Sequence, residues 1–313
     1  MGYDKEGVHS DGRRLVFLGD LVDRGPDSPA VVELVKRLVE DGLAQCILGN
    51  HELNLLRHEP KDGNGWYTQP EKADKYRSVP VSPDQKKDFR EFLLTLPLAL
   101  ENGELRVVHA CWNAKSLTKL DNQKEHIGVL DAYWYFEDKL ESSFVPENMT
   151  KESLEIILKD KRTKPALIKS LAEHDTAYQM GNPVRVLTSG EEAPASEAFW
   201  AGGKWRMVAR QKWWECYVDE KPVVVGHYWR HFDELSRSFG KKAGPDLFEG
   251  IEPHHWMGKN NNIYCVDFSV GLRQMAKAES QSEDIGRLAA LRWPERVVMY
   301  DNGTSSNLGN HGV

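Results

Sequence analysis

The chain has 313 residues, enough to bury a substantial core in one large domain or two small ones, and its composition, 40% hydrophobic and 28% charged, is that of a globular protein. A formal net charge of −7 argues against non-specific binding to nucleic-acid duplexes or anionic membranes, and no apolar stretch approaches the roughly 20 residues that a membrane helix needs. No signal peptide opens the chain, and Cys46, Cys111, Cys216 and Cys265 are isolated, so reduced thiols in a cytoplasmic protein are expected.

The first predicted unit organises the rest. An apolar run, Leu15–Leu18, stops at Gly19-Asp20 and is followed by Asp23-Arg24-Gly25; a second, Cys46–Leu48, stops at Gly49-Asn50-His51-Glu52. Between them Val31, Val32, Leu34, Val35, Leu38 and Val39 recur at helical spacing, with Ser28 as N-cap, Pro29 in the first turn and Gly42 just past the end. A strand–helix–strand unit crosses over right-handed, which makes its strands parallel. Asp20, Asp23, Arg24, Asn50 and His51 then share one mouth of a sheet, where open α/β sheets place their ligands. Two carboxylates, an amide, an imidazole and a guanidinium at one spot suit a divalent cation and an anionic, phosphate-bearing substrate. A single GD or GN pair is an ordinary turn dipeptide; GDxxDRG and GNHE together, each after a strand, are far more specific.

Further along, Leu53, Leu55 and Leu56 suggest a short helix, and residues 58–80 an irregular surface loop, either packed by its own aromatics Trp66 and Tyr67 or, as the alternative, laying them over the site. Ser82-Pro83-Asp84 starts a helix through about Thr95. Pro97–Glu101, Asn102-Gly103 and Glu104–His109 read as a hairpin that delivers His109 at a strand end. Residues 113–180 are polar and helical in period, an insertion or cap whose stripe Tyr133, Trp134, Tyr135 and Phe136 is expected in its core. Asn182–Gly190 reads as strand and turn. Lys204-Trp205-Arg206 and Trp213-Trp214 are expected beneath His227, which ends the strand Val223–Val225 after Gly226. A loop follows over 236–262, and strands at 263–268 and 296–300 complete a second sheet.

GDLVDRG, GNHE, Val107-Val108-His109-Ala110 and Val223–His227 resemble, in the same order, signature blocks of the calcineurin-like metallophosphoesterases. The branch is the one with PPP-type Ser/Thr phosphatases and symmetrical diadenosine-tetraphosphate hydrolases; Tyr264–Gly271 and Leu288–Tyr300 are similar to its bacterial members. The resemblance implies one metallophosphoesterase domain over 1–313, an α/β fold in the form of a four-layer αββα sandwich, with the insertion at 113–180. It implies metal-activated hydrolysis of phosphoesters with two divalent ions (Mn, Fe, Zn, Ni or Mg). Asp20 would bridge the ions, and Asn50, His109 and His227 would complete the second ion's shell. His51 would be the general acid, oriented by Asp23. Arg24 would clamp the phosphate, with Arg185, ahead of Arg206 and Arg210, as the second phosphate arginine.

The family's first block, Asp-x-His, is not found: nineteen residues precede Asp20 and none form it, since His9 has Asp4 five positions before it. Truncation is the expected cause. It would leave the first β-strand missing, an apolar sheet edge exposed and only the second metal site complete, with activity impaired accordingly. The implied substrate is a phosphorylated small molecule, nucleotide or phosphoprotein, chosen by the segments 58–80 and 113–180. His227-Tyr228 departs from the GHT/GHS form of eukaryotic phosphatases, which speaks against a phosphoprotein. The alternative is a catalytically inactive phospho-ligand-binding module that keeps the fold and one metal; the retained His51–Asp23 pair favours the enzyme.

Overall fold

The structure is a computed structural model that describes residues 1–72, 76–123, 128–233, 245–278 and 285–308. β1 (Leu15–Phe17) and β2 (Ala44–Cys46) are parallel, with Phe17 opposite Cys46, and α1 (Ser28–Glu40) connects them. The cap of α1 is Asp27, not Ser28: its carboxylate accepts from the Ala30 N–H at 3.0 Å. Ser28 is thereby released to accept from the Asp23 N–H at 3.1 Å. Val32, Val35 and Leu38 form the buried stripe of α1. Among the described residues β1 pairs with β2 alone, and its Val16 is 39% exposed.

The chain continues through α2 (Asn50–Leu56), α3 (Gly65–Thr68) and α4 (Pro83–Thr95). Ser82 and Gln85 cap α4 reciprocally, at the start that the sequence predicts, and Phe89, Phe92 and Leu93 pack into a core shared with α1 and α2. β3 (Ala99–Glu101) and β4 (Arg106–Val108) form the expected hairpin, its tip held by Asn102 Oδ1, which accepts from the Glu104 and Leu105 N–H groups at 2.8 Å each.

Helices occupy the 113–180 segment: α5 (Ala114–Asp121), α6 (Val129–Glu137), α7 (Lys151–Lys159) and α8 (Lys169–Gly181); residues 124–127 of that segment, like 73–75 of the preceding loop, lie outside the described residues. The aromatic stripe on α6 divides: Tyr133 is fully buried and Trp134 is 41% exposed. Asn182–Gly190 is not strand and turn but a helix, α9 (Pro183–Ser189). Asn182 Oδ1 accepts from the Val184 N–H at 3.1 Å and Pro183 opens the first turn, so the capping pair overrides the β-branched residues that follow. A long antiparallel hairpin comes next, β5 (Glu192–Ala201) with β6 (Lys204–Arg210). Trp205 packs there with Leu154, Leu171 and Met207 rather than beneath His227, whereas Trp214 does lie edge-on to Tyr228.

β7 (Val223–Val225) and β8 (Ile263–Cys265) join the hairpin strands in a sheet ordered β3-β4-β7-β8, in which β4, β7 and β8 are parallel. The strand at 263–265 therefore belongs to the His109 and His227 sheet, and does not share a sheet with the strand near 296–300, as the sequence reading had it. That later strand, β10 (Val297–Tyr300), lies between β9 (Ala289–Arg292) and β11 (Ser305–Asn307) in an antiparallel sheet. A short helix, α10 (Leu272–Ala278), precedes it. Of the loop expected over 236–262, residues 236–244 lie outside the described residues.

The alternation of side chains makes this an α/β sandwich. Val223, Val225, Ile263 and Cys265 face α9 and the two tryptophans Trp213 and Trp214. Val224 and Tyr264, one residue out of phase, face Val298 and Tyr300 of the antiparallel sheet. The carboxyl ends of β1, β2, β4 and β7 each run directly into one of the motif blocks, so the fold's loops at that end carry its polar cluster.

Candidate metal and phosphate site

Two glycines let the first two loops interlock. A Cβ on Gly19 would lie 2.4 Å from the Gly49 nitrogen, and one on Gly49 would lie 2.4 Å from the Asp20 nitrogen. Glu52 ties the loops together from below. Fully buried, it accepts from the backbone N–H groups of Asp20 (2.8 Å), Leu21 (2.7 Å) and Gly49 (3.0 Å). Burial, then the Asp20 charge, pushes the Glu52 carboxyl above its ordinary value. Sequence reasoning had not assigned Glu52; its signal was a glutamate at the third helical position after Gly49, the pattern of a helix cap.

Above this clasp, Asp20 Oδ1 accepts from the His51 N–H at the start of α2 at 3.1 Å and lies 3.2 Å from His109 Nε2. Asn50 Oδ1 lies 3.3 Å from the same nitrogen. On the far side of the ring, His109 Nδ1 donates to the Leu18 carbonyl, which leaves Nε2 as the inward atom. Potential ligand atoms of Asp20, His109 and His227 all lie within 4.8 Å of one another, and the two imidazoles meet edge-on at 5.1 Å. Among the described residues this is the one such group of His, Cys, Asp and Glu.

Two oxygens aimed at one imidazole nitrogen require something positive between them. In the metal-free protein a proton can serve: burial disfavours a charged His109, but Asp20 and the Leu18 carbonyl outweigh it and raise the pKa to about 9. Burial likewise acts against the Asp20 carboxylate, yet His109, His51 and His227 hold its pKa far below the ordinary range. A carboxylate, an amide oxygen and two imidazoles with one tautomer already fixed also fit a divalent cation of the first transition row.

Beside this cluster is a second one. His51 Nδ1 hydrogen-bonds Asp23 Oδ2, and the Asp23 side chain is fully buried. Burial tends to neutralise His51, but the Asp20 charge and the Asp23 hydrogen bond raise its pKa above the ordinary imidazole value. Asp23 Oδ1 accepts from the Trp66 indole N–H at 2.8 Å. Trp66, 1% exposed, both touches Tyr67 and reaches the site with its polar end, so the two expectations for this residue hold together, although no local pattern reveals Asp23 as its partner. Arg24 stacks on Trp229, Cζ 5.2 Å from the ring, and has no carboxylate partner among the described residues. Asp20, Asp23, Arg24 and His227 have φ of 52°, 76°, 60° and 67°, in the left-handed region that non-glycine residues rarely adopt.

The structure thus brings Asp20, Asn50, His109 and His227 into one cluster and His51 with Asp23 into an adjoining one. Arg185 stands elsewhere, on α9, where Nη2 donates to Tyr133 (2.8 Å), Tyr178 (2.8 Å) and Glu137. Arg210 lies over the ring of Tyr228, 5.9 Å from its centroid, next in sequence to His227. His9 is buried against Tyr3, apart from these groups in every described contact.

The family model for calcineurin-like phosphoesterases matches residues 5–192. Among curated proteins, the chain is 37% identical over 121 residues to the asymmetrical bis(5'-nucleosyl)-tetraphosphatase PrpE of Geobacillus sp. (strain WCH70), an alignment covering 35% of this chain and 48% of that protein. It is 31% identical over 118 residues to the symmetrical bis(5'-nucleosyl)-tetraphosphatase of Janthinobacterium sp. (strain Marseille), covering 36% of this chain and 40% of that one. The matched region spans less than half the length of these relatives. A solved structure, the cold-active protein-tyrosine phosphatase of a psychrophilic Shewanella sp., aligns over 98% of this chain and 73% of its own with 14% identity and a TM-score of 0.44.

Proposed function

The chain belongs to the calcineurin-like phosphoesterases, and on that premise we propose that it hydrolyses phosphoric ester or anhydride bonds, with Asp20, Asn50, His109 and His227 as metal ligands and His51 as general acid. The observation that carries this reading is the adjacency of a three-donor cluster within 4.8 Å and a buried imidazole–carboxylate pair one residue along from Asn50. When bound, a divalent ion supplies positive charge to the phosphoryl oxygens and acidifies the attacking water. The protein's own groups do the rest. Arg24, with its guanidinium over the Trp229 ring, offers that group to the phosphate. His51, with Nδ1 on Asp23, directs its other nitrogen and a proton to the leaving oxygen. Arg185 would have to leave Glu137 to reach a phosphate, so Arg24 carries that role here.

The donor set suits Mn, Fe, Zn, Ni or Mg, and Mn is the first probe to use. The relatives' names support a nucleotide or another phosphorylated small molecule as substrate. No helix among the described residues is long and apolar enough to cross a membrane.

Calorimetric titration with Mn(II) is expected to give one ion per chain, with binding lost in His109→Ala, because one ligand cluster is found among the described residues. Two bound ions with fast turnover would contradict the single-site assignment. Hydrolysis of p-nitrophenyl phosphate is expected to be slow, Mn-dependent and abolished by EDTA and by Asp20→Asn. If Mn binds and nothing is hydrolysed, the binding-module reading, which the single ligand cluster favours, takes over.

A further inference from the structure

The segment between α2 and α4 builds the turn that carries Asp23 and Arg24. Gly63 packs so closely on it that a Cβ there would lie 2.8 Å from Arg24 Cγ and 3.3 Å from Asp23 Cβ. Ser78 Oγ donates to the Gly25 carbonyl at 2.7 Å, and the Val79 N–H to the Pro26 carbonyl at 2.9 Å. The turn thus rests on the 58–81 segment at Asp23, Arg24, Gly25 and Pro26 in succession. The contact at Asp23 is the chemical one. Its carboxylate is sealed from water and has two oxygens to satisfy: Oδ2 takes His51, and Oδ1 takes the Trp66 indole at 2.8 Å. Trp66 is itself fixed, since its carbonyl accepts from the Val81 N–H at 3.0 Å and its helix starts on the buried Asn64, whose side chain bonds Lys61 N–H and the Glu59 carbonyl at 2.9 Å each.

We propose that Trp66 is a positioning residue for proton transfer: by holding Asp23 Oδ1 it fixes the carboxylate plane and so aims His51 at the leaving oxygen. The proposal rests on His51 being the general acid. It gives Trp66, in the loop 58–80 that the sequence assigns to substrate choice, a part in building the catalytic pair. Phenylalanine at 66 keeps an aromatic ring and removes the N–H. A carboxylate with one oxygen unheld rotates, and the imidazole follows it.

The test is a series of aryl phosphates of increasing leaving-group basicity, assayed with Mn for wild type, Trp66→Phe and His51→Ala. A nitrophenolate departs without a proton, whereas a phenolate or a more basic group needs one. Trp66→Phe is expected to lower kcat by about tenfold or more at the basic end, as the loss of such an outer partner does, with KM unchanged and little loss for p-nitrophenyl phosphate. His51→Ala should show the same pattern, more steeply. An equal loss across the series in Trp66→Phe, or none, overturns the positioning role while leaving His51 in place. If His51→Ala itself shows no leaving-group dependence, the general-acid assignment falls and this proposal with it. A readout without turnover stands beside these. The Trp66 indole N–H should exchange slowly with solvent in NMR spectra and shift upfield in Asp23→Ala; exchange at the rate of free tryptophan overturns the proposal.

Discussion

His51→Ala is expected to lower kcat for phosphoesters with a basic leaving group by about 10²–10⁴-fold, the range over which a positioned general acid acts. Binding of Mn should be nearly unchanged, since the side chain of His51 points to Asp23 rather than into the Asp20, His109 and His227 cluster. The fold should tolerate the change, because removal of the imidazole leaves Asp23 still bonded to Trp66. Steady-state kinetics beside a metal titration separates the two readouts. A proportionate loss of Mn affinity would make His51 a support of the metal cluster instead of an acid.

Glu52→Ala should have the largest effect on stability. Three backbone N–H groups, on Asp20, Leu21 and Gly49, converge on this carboxylate where the side chain is fully buried. Removing it leaves buried donors without an acceptor, for a loss of about 3–5 kcal/mol, on the scale of breaking a buried polar network. Urea denaturation measures this directly. The second consequence concerns the site: with the clasp gone, Asp20 and Asn50 are no longer held in register, and Mn affinity should fall together with stability. A change below about 1 kcal/mol with wild-type Mn affinity would mean that water replaces the carboxylate and the clasp is dispensable.

What could be read from the sequence follows the range of the interactions involved. β1, α1 and β2, and the motif residues at the strand ends, were legible because an apolar run stopped by Gly-Asp or Gly-Asn is a local pattern. So was α4, whose Ser82 and Gln85 lie three positions apart. At Asn182–Gly190 the local signals conflicted. Val184, Val186 and Leu187 look like a strand, but Asn182 and Pro183 are a cap and a first turn, and the cap prevails. The β5–β6 hairpin was missed because Glu192–Ala201 is interrupted by Pro194, where the register shifts, and lacks clean alternation. The site's supporting contacts were invisible for a different reason. Glu52 reaches Asp20, and Trp66 reaches Asp23, across the space between separate elements, so nothing near either residue announces its partner.

The left-handed backbone at Asp20, Asp23, Arg24 and His227 has a consequence for selection. Each such position in a non-glycine residue carries a conformational penalty, of the order of 1–3 kcal/mol where a bulky side chain is involved, and glycine would lower it. Four of the eleven described non-glycine residues with this backbone lie in the polar cluster. At Asp20 and Asp23 the buried hydrogen bonds offset what glycine would gain, whereas the Arg24 side chain has no carboxylate partner among the described residues. A random library sorted for thermal resistance alone should therefore accumulate glycine at position 24, and the same library sorted for turnover should exclude it. Heat and catalysis thus pull that one position in opposite directions.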